Sequence, residues 1–176
     1  MEKKMKSMRL VLLAIGLQFM CEISSANSGK KLLLETSKGQ VEIAFLPELA
    51  PNHVNRIAEL ASSGFYDGII FHRVIPGFMA QTGDPTGTGM GGSDYPDLRA
   101  EFSSEPFRRG TLGMARSQHP DSANSQFFIC FQDASWLNGQ YTVFGEVVEG
   151  MEHIDAITRG EPPAEPDQII SLTLDD

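Results

Sequence analysis

The stretch Phe71-His72-Arg73-Val74-Ile75-Pro76-Gly77-Phe78-Met79-Ala80-Gln81 sets one permanently charged planar donor, Arg73, among large apolar side chains. A guanidinium beside an apolar pocket makes strong hydrogen bonds, because the low local dielectric favours them. Two further segments are equally rich in large apolar side chains. Gly113-Met114-Ala115-Arg116 leads on to Asn124-Ser125-Gln126-Phe127-Phe128-Ile129-Cys130, and Trp136-Leu137-Asn138-Gly139 precedes Tyr141-Thr142-Val143-Phe144-Gly145. An arginine in a strand ordinarily faces solvent and phenylalanines ordinarily fill a core. Spacing alone therefore leaves a structural and a functional reading both open.

Other chemistries find no support. Gly87-Thr88-Gly89-Met90-Gly91-Gly92 fits G-x-G-x-x-G as a string. The following Ser93-Asp94-Tyr95-Pro96-Asp97 cannot open the helix that a pyrophosphate needs, so the segment reads as a mobile loop. The four histidines (His53, His72, His119 and His153) are scattered without metal-ligand spacing, so no metal is expected. No G-x-S-x-G elbow occurs. His72 alternates with Arg73 along a strand and so faces away from it, which makes His72 structural. Cys130, in an apolar run, reads as a buried, inert thiol.

The elements that must position these residues are mostly strands. Seventeen glycines and ten prolines favour a turn-rich fold over a helical bundle. Residues 31–36 and 40–46 flank a Ser37-Lys38-Gly39 turn, and Val41, Ile43 and Phe45 alternate with polar or small neighbours, as in a half-buried hairpin. A helix follows, with Pro51 near its start, Val54, Ile57, Ala58 and Ala61 at helical spacing, and Gly64 at its end. Strands are expected over 69–75, 78–81, 111–115, 125–131, 141–148 and 169–174, and a short helix over 150–158. About eight antiparallel strands and two helices in one domain suggest a closed β-barrel capped by the helices.

The first 26 residues differ from the rest. Lys3, Lys4, Lys6 and Arg9 form a basic head, residues 10–20 are largely apolar, and Ser24-Ser25-Ala26 offers small residues for cleavage. This is the three-part pattern of a secretory signal, with cleavage expected between Ala26 and Asn27. The apolar run is too short for a bilayer, which takes ~20 helical residues, so no stable membrane insertion is expected. Four of the 14 basic and two of the 23 acidic residues lie in this segment, so 27–176 carries a net charge of −11. That argues against nucleic acid as a partner. Nothing suggests more than a monomer. One cysteine in 27–176 permits no internal disulfide.

Taken together, the three segments closely resemble the cyclophilins, from about Lys31 to the C-terminus. The resemblance implies an eight-stranded antiparallel barrel with two helices and peptidyl-prolyl cis-trans isomerase activity on proline-containing polypeptides, without a cofactor. It identifies Arg73 as the catalytic donor and Phe78, Met79, Phe128 and Leu137 as the holders of the proline ring. Gln81, Ala115, Arg116 and Gln126 match the flanking groove, and Trp136 and Tyr141 match the rim, where many members bind cyclosporin. Arg116 stands where Asn is familiar and Tyr141 where His is familiar, as in bacterial members. With the leader, this implies an exported enzyme, periplasmic in preference to secreted. The competing reading is a peptide-binding chaperone or adhesion module that does not depend on catalysis; retention of Arg73 favours the enzyme.

Overall fold

The computed structural model describes residues 29–175. The leader and the Ala26–Asn27 junction lie outside the described residues.

Alternation of apolar residues sets the first hairpin. In β1 (Lys31–Thr36) and β2 (Gly39–Phe45), Leu32, Leu34, Val41, Ile43 and Phe45 turn inward, and the strands pair from Lys31↔Ala44 to Thr36↔Gly39. Helix α1 (Pro51–Ser62) buries the expected stripe of Val54, Ile57, Ala58 and Ala61 against the sheet. Each large aliphatic side chain so buried is worth ~1.5–3 kcal/mol. The remaining strands are β3 (Arg73–Ile75), β4 (Met79–Thr82), β5 (Thr111–Met114), β6 (Phe127–Cys130), β7 (Val143–Glu149) and β8 (Ile169–Asp175). Helix α2 (Met151–Asp155) packs on β2, and a single 3-10 turn spans Ser135–Leu137.

Among the described residues these strands form one antiparallel sheet in the order β3-β4-β6-β5-β7-β2-β1-β8. The sheet is curled but open, which corrects the expected closed barrel. The edge strands β3 and β8 share no ladder; individual contacts span the gap. Val74 exchanges two backbone bonds with Gly160 (2.8 and 2.9 Å), and the Phe71 N–H donates to the Asp167 carbonyl (2.9 Å). The reason is the composition of the strap between α2 and β8. Pro162, Pro163 and Pro166 lack the N–H a ladder needs, so pairing is intermittent. For the same reason the strand expected over 69–75 shortens to three residues.

Period-two alternation also sorts the sheet into two faces. Val74, Ala80, Leu112, Met114, Phe127 and Ile129 enter the main core. Their neighbours Met79, Phe128 and Cys130 point the other way and join Phe107, Ala134, Leu137 and Val143 in a second apolar cluster. The cluster buries the Cys130 thiol and pushes it up to about 12, so the thiolate is suppressed at neutral pH and the thiol is inert as expected. The face of the sheet that carries Arg73 and Gln81 rests on this second cluster.

Candidate active site

Strand register lines up the key side chains in one row. Arg73 on β3 lies opposite Gln81 on β4, Gln81 opposite Phe128 on β6, and Phe128 opposite Gly113 on β5. All four belong to the face away from the main core. His72 alternates to the other face and is buried, as expected, and burial holds its imidazole below the usual pKa.

Along the row lies a pocket of about 220 Å³, lined by Arg73, Phe78, Met79, Gln81, Ala115, Arg116, Phe128, Leu137 and Tyr141. Its floor is rigid. Phe128 stacks on Phe107 (5.6 Å between centroids) and meets Tyr141 edge to face (5.9 Å). The 3-10 turn points Leu137 into the second cluster and leaves Trp136 half exposed, tilted over Phe78 at 5.5 Å. Such offset and edge contacts hold rings in place beyond what their burial supplies.

Gly113 provides the space. A Cβ at this position would fall inside contact distance of Phe128 Cζ and 2.6 Å from Phe107 Cε1. Only glycine lets the Phe128 ring lie flat across β5, so Gly113 shapes the pocket although it makes no polar contact. The sequence reading passed over Gly113; a glycine inside a strand is the signal that could have found it.

The polar wall is built outward from the loop of residues 83–92. Buried Asp84 accepts hydrogen bonds from the Thr86 N–H and hydroxyl (both 2.8 Å), the Gly89 N–H (2.6 Å) and the Gly91 N–H (3.1 Å). Burial pushes this carboxyl up, but the Thr86, Gly91 and Gly89 hydrogen bonds outweigh it and bring it to about 2. The segment expected to be a mobile loop is thus wound around a carboxylate. Its carbonyls at Gly89 and Gly91 accept from Gln126 Nε2 (3.0 and 2.8 Å). Gln126 Oε1 in turn accepts from Gln81 Nε2 (2.9 Å), which leaves Gln81 Oε1 facing Arg73 Nη1 at 3.4 Å. The amide chain fixes which end of Gln81 meets the guanidinium.

Arg116 separates this pocket from a larger cavity of about 500 Å³ that Gln81, Met90, Asn124 and Gln126 help to line. Its guanidinium stacks on Tyr141 at 4.4 Å. It also donates to the carbonyls of Ser117 (2.9 Å), Gln118 (3.2 Å) and Gln140 (2.9 Å). The two residues that depart from the familiar pattern thus form one unit, Arg116 bracing Tyr141 against Phe128. Of the residues named from the sequence, all line the small pocket except Gln126, which orients Gln81, and Trp136, which forms the rim.

Comparison with known proteins supports the same conclusion. The family model described as cyclophilin type peptidyl-prolyl cis-trans isomerase/CLD matches residues 31–174. The chain is 51% identical over 168 residues to a Brucella abortus protein named "Probable peptidyl-prolyl cis-trans isomerase", with 86% of each chain covered. It is 41% identical over 144 residues to the peptidyl-prolyl cis-trans isomerase of Synechococcus elongatus, covering 81% of this chain and 94% of that one. A Cryptosporidium parvum cyclophilin type isomerase, solved in the presence of the dipeptide Ala-Pro, superposes with a TM-score of 0.77 at 31% identity, covering 83% and 99%. The pocket, the arginine on its edge and the sheet that carries them agree with these matches across nearly the whole described chain: it belongs to the cyclophilin-type peptidyl-prolyl cis-trans isomerases.

Proposed function

We propose that this isomerase accelerates rotation about X–Pro bonds in exported polypeptides during folding, with Arg73 as the catalytic donor. The observation that carries the reading is Arg73 standing on the edge of an apolar pocket, held there by Gln81. Amide resonance imposes a barrier of ~18–20 kcal/mol, and uncatalysed exchange takes tens to hundreds of seconds. Rotation needs no nucleophile; it needs the twisted amide to be favoured over both planar forms. Phe78, Met79, Phe128 and Leu137 hold the proline ring, with Tyr141 above it. The prolyl nitrogen regains its lone pair as the bond twists, and Arg73 donates to it. The flanking peptide chain runs along Gln81, Ala115, Arg116 and Gln126. The Ala-Pro dipeptide present with the Cryptosporidium relative supports a proline-containing ligand for this pocket.

The leader of residues 1–26 supports export, to the periplasm in preference to the medium. Fractionation and intact-mass measurement test it. A chain beginning at Asn27 in the extracytoplasmic fraction is expected; full-length protein confined to the cytoplasm would overturn the export reading.

Cyclosporin is expected to inhibit by occupying the same groove. Trp136 presents a broad apolar face and an indole N–H at the rim. Trp136→Phe should weaken cyclosporin about two- to tenfold, the worth of one neutral hydrogen bond (~0.5–1.5 kcal/mol), and leave catalysis largely intact. Trp136 is the single tryptophan, so its fluorescence reports binding directly. Absence of both a fluorescence response and inhibition at high ligand concentration would contradict this prediction alone.

A further inference from the structure

The row across the sheet extends one residue beyond β3, to a position from the far end of the chain. Val74 and Gly160 are paired antiparallel through two backbone hydrogen bonds. That bridge sets Glu161 directly across from Arg73, as Gln81 lies across from it on the other side. The Glu161 carboxylate sits 3.2 Å from Arg73 Nε. Arg73 therefore lies between two oxygens: Glu161 Oε1 forms an ion pair beside Nε, and Gln81 Oε1 accepts a hydrogen bond from Nη1. Nη2 makes no hydrogen bond among the described residues.

We propose that Glu161 is a positioning residue for the reaction, fixing the guanidinium plane so that Nη2 is presented to the amide nitrogen of the twisted bond. This rests on the assignment of Arg73 as donor. Two effects oppose each other here, and their sizes decide the sign. A carboxylate partner partly offsets the charge that makes Arg73 a strong donor. Both side chains are roughly half exposed, at 42% and 51%, so water screens that offset. Against it stands the rotational freedom of a free arginine, part of which a neighbouring charge removes before substrate arrives. Orientation outweighs the loss of charge, so the pair assists turnover. The strap can hold Glu161 there because Gly160 is bonded to β3 on both its N–H and its carbonyl.

The test is a double-mutant cycle on the full chain, with kcat and KM for a proline peptide measured separately. Glu161→Ala should lower kcat about two- to fivefold, the range for a part-exposed ion pair, with KM unchanged because the apolar pocket is untouched. Glu161→Gln keeps an oxygen beside Nε but not the charge, and should recover part of kcat. In an Arg73→Ala background, Glu161→Ala should have no further effect, which a merely structural role for the strap would not produce. A Glu161→Ala variant with unchanged or raised kcat, or additive losses in the double variant, would overturn the inference. If Arg73→Ala itself keeps full turnover, the donor assignment fails instead, so the two failures are distinguishable. Unfolding midpoints measured alongside should not move, since Glu161 is half exposed.

Discussion

Arg73→Ala should lower kcat by 10²–10³-fold while the affinity for a proline peptide changes little. The size follows from removing one preorganised donor aimed at charge that develops only in the transition state. The asymmetry follows from the pocket. In the proposed mode, binding depends on burying the ring against Phe78, Met79, Phe128 and Leu137, none of which needs Arg73 to hold its place. Arg73 is partly exposed and outside both apolar clusters, so its removal should leave the unfolding midpoint unmoved. Protease-coupled rates and peptide titration on the same preparation separate the two quantities. Turnover at the wild-type level would refute the donor role. A large loss of affinity at unchanged kcat would show that Arg73 serves ground-state binding.

Gly113→Ala should damage both stability and turnover, although it adds a single methyl group. The new Cβ meets Phe128 on one side and Phe107 on the other, and those rings already stack at 5.6 Å. Phe128 cannot retreat into Phe107, so either its ring swings into the pocket or β5 parts from β6. Overpacking of this kind costs ~1–3 kcal/mol. Occlusion of the pocket should raise KM, and kcat/KM should fall more than tenfold. Urea unfolding beside steady-state kinetics reads both effects. An unchanged unfolding midpoint with full activity would contradict the role given to Gly113.

Much of this was legible in the sequence where one physical signal acts locally. The inward run of Val41, Ile43 and Phe45 and the α1 stripe of Val54, Ile57, Ala58 and Ala61 followed from period alone. The pocket residues were legible only through the resemblance, because apolar residues on a strand read as core on either face. Indeed they do pack as a core, the second one, and the site is its exposed edge. Closure of the barrel was misjudged because strand count says nothing about whether the two edges can pair. Pro162, Pro163 and Pro166 decided that, by withholding the N–H groups a ladder requires. Asp84 was missed because its partners are backbone N–H groups of the loop it organises, and only a fold reveals those. Glu161 was missed because its place beside Arg73 depends on a bridge between distant segments.

Favouring the twisted amide asks only for side chains that hold the ring and donate to its nitrogen, with no metal or cofactor in the step. Exchange spectroscopy on a proline peptide, with a catalytic amount of residues 27–176 and excess chelator, puts this to the test. Cis-to-trans and trans-to-cis rates should rise by the same factor, the isomer ratio should stay fixed, and Arg73→Ala should abolish most of the acceleration. Absence of acceleration, or acceleration that chelator removes, would contradict it.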